Sequence, residues 1–198
     1  MASDDDVRLR AALCGALVAL SKAEVDALLV GGMALRYYVQ GEISFDHDVD
    51  LLIRGSDVER AIATLDDAGF EVVRTHPTWL FKATLDDATV DVLYVLGKVL
   101  RLDDEMLERG RLVGVGSCSA RVISREDLAI GQAGASSEAV QELWFQAVEL
   151  LRSGAVDWDY IGRRRTAAPD RVAALLHYLR SEGVDVPRLD GNVDATRA

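Results

Sequence analysis

Two acids one residue apart, Asp48 and Asp50, lie in an apolar run that continues through Leu51–Ile53. Successive side chains of a strand point to opposite faces, so both carboxylates project to one side. Carboxylates this close repel each other unless a cation lies between them, and Mg²⁺ suits such oxygen ligands. An isolated Asp-x-Asp can also be a solvated edge or a turn. The apolar surroundings favour an interior strand, where unpaired charge is costly, and therefore a metal site.

A pair of glycines precedes these acids, because the apolar run Leu28–Val30 ends in Gly31 and Gly32, which open a predicted helix. A strand that turns into a helix in this way exposes backbone N–H groups at the positive end of the helix dipole, and that arrangement suits phosphate. A tight connection is the alternative interpretation of a lone Gly-Gly. A phosphate grip beside Mg²⁺-binding acids is the minimum that phosphoryl or nucleotidyl transfer needs.

A third acid, Asp91, is the single charged residue in the strand-like run 88–96. The run before it is also strand-like, and Asp86-Asp87 between the two is typical of a two-residue hairpin turn. That turn predicts that Lys82 lies opposite Asp91 on the same face of the sheet. A turn shifted by one residue would place Thr84 there instead.

Together these motifs resemble the polymerase-beta-type nucleotidyltransferase superfamily over about residues 24 to 96. The nearest likeness within it is to small bacterial minimal nucleotidyltransferases, toxin-like abortive-infection nucleotidyltransferases and antibiotic-modifying adenylyltransferases. The resemblance implies that Asp48, Asp50 and Asp91 are catalytic and hold Mg²⁺. It also implies that Gly31 and Gly32 bind the triphosphate of a nucleotide.

The chain departs from that pattern just before the Asp-x-Asp. Many relatives have an Arg and a Thr where this sequence has Ser44 and Asp46. Losing an Arg near a triphosphate weakens binding. Either the phosphate grip differs, with Arg36, Lys82 or Arg54 replacing the lost Arg, or the site no longer turns over.

The second half carries a weaker likeness. Ile123–Leu128 is similar to the segment by which many such enzymes enter their helical region, and Gln132 stands where a Lys often follows. The segment Asp157–Tyr160 predicts a helix start with aromatic packing. The C-terminal helices are expected to form one wall of the acceptor cleft.

The pattern of elements predicts an α/β (α+β) domain over residues 1–100, and the resemblance implies that it is a polymerase-beta-like mixed sheet with flanking helices. A mostly helical region is predicted for residues 101–187, followed by a flexible tail at 188–198. Strands are expected at 70–74 and, as a single strand, near 112–122. Helical spacing and capping signals, including a capping box at 56–59, predict helices at about 7–20, 56–65, 124–134, 138–151, 157–165 and 169–181.

The composition and net charge limit the classes of partner that the protein is expected to bind. The 198 residues include 22 basic and 33 acidic ones, a net charge of −11, which argues against strong binding to double-stranded nucleic acid. The cluster Arg163–Arg165 is interpreted as a solvated helix end or as a partner of the helix dipole. An acidic protein suits a cationic small-molecule acceptor such as an aminoglycoside, while a tRNA end or a protein hydroxyl stays open.

No membrane-spanning run is present, and Cys14 and Cys118 are expected to be free thiols in a cytoplasmic protein.

The sequence therefore predicts a Mg²⁺-dependent nucleotidyltransferase that moves a nucleoside monophosphate from an NTP to a hydroxyl and releases pyrophosphate. Asp91 would orient or deprotonate that hydroxyl. Three alternatives stay open. One is a toxin–antitoxin nucleotidyltransferase acting on tRNA or protein, and another is a degenerate, non-catalytic protein that binds a nucleotide or a partner. The third is a structural scaffold whose acids only bind a stray cation.

Overall fold

The computed structural model describes residues 4–43, 45 and 48–188. Ser44 and Asp46, where the family pattern is interrupted, lie outside these residues, and so does most of the predicted tail. Within the described chain, seven strands form one mixed sheet in the order β3-β4-β5-β2-β1-β7-β6. The strands are β1 Ala27–Leu29, β2 Val49–Ile53, β3 Glu71–His76, β4 Leu80–Leu85, β5 Ala88–Leu93, β6 Arg111–Val115 and β7 Cys118–Val122.

The helices cover the sheet and extend past it, so the predicted mixed α/β class is confirmed. They are α1 Asp4–Lys22, α2 Gly31–Gln40, α3 Val58–Asp67, α4 Asp104–Arg109, α5 Arg125–Ala135, α6 Glu142–Arg152, α7 Trp158–Arg164 and α8 Pro169–Ser181. No described helix is long and apolar enough to cross a membrane.

Strand β2 lies in the middle of the sheet, antiparallel to β1 and parallel to β5. Its apolar residues Val49 and Leu51–Ile53 are fully buried, as the sequence pattern predicted for an interior strand. Burial on both faces fixes the register, because a slip of one residue would move Asp50 into the apolar layer.

The hairpin between β4 and β5 has the predicted two-residue turn. Asp86 and Asp87 both have positive φ, 49° and 66°, as a type I′ turn requires. The resulting register places Lys82 opposite Asp91, so that prediction is confirmed. Thr84 pairs with Thr89.

Two local predictions are wrong. The single strand expected near 112–122 is a hairpin, β6 and β7, because Gly116 and Ser117 form a two-residue turn. Strand β7 pairs in parallel with β1 and extends the sheet into the half of the chain expected to be mostly helical. The capping box at 56–59 does not form, since a 3₁₀ turn occupies Gly55–Asp57 and no described side chain caps α3.

The cysteines also differ from expectation, because Cys14 and Cys118 form a disulfide. Helix α1 packs against β7 and brings the two Cα atoms within 5.5 Å, although 104 residues separate them in sequence. Spacing alone gave no sign of this pairing, which depends on how a helix crosses a distant strand. The prediction of free thiols is therefore wrong.

Helix α5 is the hub of the C-terminal helices and packs against α2, α6, α7 and α8. It begins where predicted, because the Ser124 hydroxyl accepts a hydrogen bond from the Asp127 amide at 3.1 Å. Helix α6 starts at Glu142, four residues after the predicted start at 138. Leu150 and Leu151 of α6 are buried, as its amphipathic pattern predicted.

Candidate active site

Three charged side chains form a row across neighbouring strands. Asp50 of β2 is in register with Asp91 of β5, and Asp91 is in register with Lys82 of β4. Paired positions in a sheet share a face, so the three side chains lie on one side. The Lys82 ammonium donates to both Asp91 oxygens, at 2.6 Å and 2.8 Å.

Asp50 lies in an unfavourable environment for a carboxylate. Its pKa is raised to about 7, mainly by burial and further by the charges of Asp91 and Asp48, while the charge of Lys82 partly offsets them. The two acids of the Asp-x-Asp therefore lie close enough to repel each other, as the strand alternation predicted. A cation bound between them would relieve this repulsion.

Gly31 makes room for the Asp50 carboxylate. A Cβ atom placed on Gly31 would lie 1.9 Å from Asp50 Oδ2, and Gly31 has a φ of +64°, which L side chains rarely adopt. The neighbouring Val30 amide donates to the Asp50 carbonyl at 2.9 Å and fixes the turn against β2. No described side chain caps the start of α2. The first amides of α2 are thus left open beside an acid pair, as an anion bridged by a metal ion requires.

A cavity of about 510 Å³ opens between the residues at the start of β2 and helices α2, α5 and α6. Gly31, Gly32, Asp48 and Asp50 line it. The rest of the lining is Leu35, Trp79, Leu93, Val95, Leu96, Gly97, Lys98, Leu128, Gly131, Gln132, Ala135, Glu142, Leu143 and Gln146. The wall opposite the acids is therefore mainly apolar.

A chain of polar side chains interrupts that apolar wall. Gln132 Nε2 donates to Gln146 Oε1 at 2.9 Å, and Gln146 Nε2 donates to Glu142 Oε1 at 2.8 Å. Because a carboxylate can only accept, Glu142 fixes the orientation of both amides. Gln132 was noticed in the sequence as a replaced Lys. Its partners Gln146 and Glu142 were missed, since they lie on a different helix.

The remaining predicted nucleotide-binding residues lie outside the cavity lining. Lys82 and Asp91 are held to each other beside it. Arg36 is on α2, where its Nη1 donates to Gln40 at 3.4 Å. Arg54, the other candidate for the missing Arg, is paired with Asp104. The structure thus brings Asp48, Asp50 and the two glycines together and places the candidate cations at the margin.

A buried polar network positions the helices behind the cavity. The Tyr160 hydroxyl contacts both oxygens of the fully buried Asp127, at 2.9 Å and 2.8 Å. Arg164 bonds to Asp127 at 3.2 Å and pairs with Asp103. Arg164 is not solvated, since its side chain is only 15% exposed, but it lies in the last turn of α7, where the alternative of a dipole partner placed it. The predicted helix start at Asp157 with a packed Tyr160 is confirmed, because the Asp157 carboxylate accepts from the Tyr160 amide.

The acids are the residues of this site that fit a divalent cation. Among the described residues, no group of three or more His, Cys, Asp or Glu side chains is arranged to hold a metal ion. Asp48 and Asp50 nevertheless share the cavity, and no described cation is hydrogen-bonded to Asp50, whose pKa is raised by burial and then by the charges of Asp91 and Asp48. Oxygen ligands of this kind suit Mg²⁺.

A family model described as "Nucleotidyl transferase of unknown function (DUF2204)" matches residues 10–181. The chain belongs to this family. It is therefore a nucleotidyltransferase, in agreement with the resemblance noted in the sequence. No protein with a curated function matches the chain.

Solved structures show the same fold at low identity. The solution structure of the antibiotic-resistance factor ANT(2″)-Ia is 18% identical, with a TM-score of 0.56, and the match covers 89% of this chain and 99% of that one. A crystal structure of ANT(2″)-Ia with adenylyl-2″-tobramycin is 17% identical, with a TM-score of 0.50 and coverage of 88% and 98%. The lincomycin-bound lincosamide antibiotic adenylyltransferase LnuA is 14% identical, with a TM-score of 0.50 and coverage of 73% and 97%. At these identities the likeness concerns the fold.

Proposed function

We propose that this nucleotidyltransferase transfers a nucleoside monophosphate from an NTP to a hydroxyl group of a small molecule, with Mg²⁺ as cofactor and pyrophosphate as the second product. The observation that carries the proposal is the close approach of Gly31 to Asp50. It supports a shared site in which the uncapped start of α2 binds phosphate and Asp48 and Asp50 hold the metal ion.

Each residue of the site has its own role in the proposed reaction. Gly31 and Gly32 bind the triphosphate through backbone amides, and Asp48 and Asp50 ligate Mg²⁺, which when bound neutralises charge on the phosphates. The acceptor oxygen bonds to the α-phosphorus, while the bond from that phosphorus to the oxygen shared with the β-phosphate breaks. Pyrophosphate leaves with the electron pair, and the hydroxyl proton passes to the Asp91 carboxylate.

The cavity supports a small, amphipathic acceptor. Its wall is mainly apolar, and Lys98 is the one basic residue in the described lining, whereas a tRNA end needs several cationic partners for its phosphates. The acids of the site and Glu142 favour an acceptor that carries an amine. One structural neighbour carries adenylyl-2″-tobramycin and another is lincomycin-bound, so tobramycin and lincomycin are reasonable first acceptors to test.

A thermal-shift panel tests nucleotide binding before any acceptor is known. ATP, GTP, CTP and UTP are added with and without Mg²⁺ to the wild type and to the Asp48→Asn/Asp50→Asn variant. A ligand at about one hundred times its Kd adds roughly 2.7 kcal/mol, a shift on the order of 5 to 10 °C for a domain of this size. A Mg²⁺-dependent shift that the variant lacks supports the proposal, and no shift with any nucleotide contradicts it.

A transfer assay then tests the chemistry. The wild type is incubated with Mg²⁺, α-phosphate-labelled NTP and either tobramycin or lincomycin, and pyrophosphate release is measured in parallel. Asp91→Asn should abolish transfer while nucleotide binding persists, because Asp91 acts on the acceptor. An Asp91→Asn variant that retained full transfer would contradict the assigned role.

A further inference from the structure

Lys82 holds the third acid of the site. Its ammonium lies 2.6 Å and 2.8 Å from the two Asp91 oxygens, and the Asp91 side chain is 16% exposed. Both residues are fixed by the β4–β5 register rather than by a flexible loop. The contact is therefore a built feature of the sheet, in which an ammonium is bound where a cation beside Asp91 would otherwise be expected.

The contact between Lys82 and Asp91 separates the acids of the site into one that has a bonded cation and two that have none. Lys82 is hydrogen-bonded to Asp91 and acts on Asp50 only through its charge, so Asp48 and Asp50 are the two carboxylates of the site without a hydrogen-bonded cation among the described residues. One divalent cation at Asp48 and Asp50 balances them. A second divalent cation at Asp91 would have to displace the Lys82 ammonium or lie against it, and like charges that close repel.

We propose that Lys82 takes the place of a second metal ion, so that the enzyme binds one Mg²⁺, at Asp48 and Asp50, and uses the ammonium to hold Asp91 towards the acceptor. The inference rests on the proposed function, because it assumes that Asp48 and Asp50 are metal ligands. Lys82 is then a positioning residue that acts through Asp91. An ammonium gives Asp91 a fixed orientation without depending on the concentration of free metal ion.

Counting bound metal ions tests this inference without an acceptor. Mn²⁺ replaces Mg²⁺ and is added to protein with α,β-methylene-ATP, whose α–β bridge resists transfer. Because free nucleotide also chelates Mn²⁺, unbound nucleotide is removed by gel filtration, and electron paramagnetic resonance then counts the Mn²⁺ that acid releases from the protein. The wild type should bind one Mn²⁺ per chain and Lys82→Met two, since Asp91 is released. Lys82→Arg keeps the charge and should return the count to one. Lys22→Met is the matched control, because it removes an ammonium in the last turn of α1, outside the cavity lining, and it should also bind one.

Each outcome decides the question. Two ions in the wild type, or one in Lys82→Met that melts at the wild-type temperature, would overturn the inference. Two ions in Lys82→Arg would also overturn it, because the charge would then not be the cause. Failure of the proposed function looks different, since Asp48→Asn/Asp50→Asn would then bind as much Mn²⁺ as the wild type.

Discussion

Replacing Gly31 by Ala is the sharpest single test of how the site is built. At a φ of +64° an Ala costs about 1 to 2 kcal/mol relative to glycine. The new Cβ would also lie 1.9 Å from Asp50 Oδ2, so the carboxylate must rotate away. Forcing that side chain off its preferred rotamer costs about 0.5 to 1.5 kcal/mol. We expect Gly31→Ala to lower the free energy of unfolding by about 2 to 3 kcal/mol and to abolish Mg²⁺-dependent nucleotide binding.

Gly41→Ala is the matched control for this variant. Gly41 follows the same helix at its other end and has a φ of +85°, and a Cβ placed on it would meet no described atom within 4 Å. It carries the backbone penalty alone, about 1 to 2 kcal/mol, and should leave nucleotide binding unchanged. The difference between the two variants therefore isolates the contact with Asp50.

A double-mutant cycle assigns that difference to Asp50. In an Asp50→Ala background the atoms nearest the new Cβ are gone, leaving the Asp50 Cβ at 3.0 Å, so Gly31→Ala should cost less than it does in the wild type. Urea denaturation gives the four free energies, and thermal shift with Mg²⁺ and NTP gives binding. Equal effects of Gly31→Ala and Gly41→Ala on both stability and nucleotide binding would show that the contact between Gly31 and Asp50 does not shape the site.

Three further predictions concern charge, hydrogen bonding and cross-linking. The pKa of Asp50 is about 7 when folded against 3.8 ordinarily, so the folded state keeps its proton longer, and stability should fall as the pH rises from 4 to 7 in metal-free buffer. That loss of stability is on the order of 4 kcal/mol. Asp50→Asn should flatten the dependence of stability on pH. Urea denaturation of both proteins at pH 5 and pH 8, in buffer with a chelator, measures the difference. Tyr160→Phe removes a donor from buried Asp127 and should cost about 1.5 to 3 kcal/mol by chemical denaturation; an unchanged midpoint would contradict the network. Reduction of the Cys14–Cys118 disulfide, which spans 104 residues, should cost about 4.7 kcal/mol, and Cys118→Ser should be insensitive to reductant.

The parts of the site that the sequence predicted are those set by local geometry. Strand alternation placed Asp48 and Asp50 together, and a two-residue turn fixed Lys82 against Asp91. Each of these two arrangements involves residues that lie within about ten positions of each other in the sequence. The central strands were predictable for the same reason, whereas their mixed pairing was expected from the family resemblance.

The parts that could not be predicted depend on contacts between distant segments. Tyr160 and Asp127 lie on different helices, and nothing in either local pattern indicates that one hydroxyl serves the other carboxylate. The polar chain from Gln132 through Gln146 to Glu142 and the pairing of the two cysteines have the same origin. Helix packing angles decide which side chains meet, and they follow from the whole core rather than from spacing.

The treatment of acids elsewhere in the chain shows what is unusual about Asp50. The deeply buried Asp127 has Tyr160, Ser124 and Arg164 as partners, and Glu126 accepts from the Asp157 amide. Asp50 has a raised pKa and no hydrogen-bonded cation among the described residues, although it lies on the central strand and a glycine gives it room. An unpaired carboxylate in such a place costs stability. The contrast between these satisfied acids and Asp50 supports the proposed cation site, and it is the physical basis for placing the proposed reaction at β2.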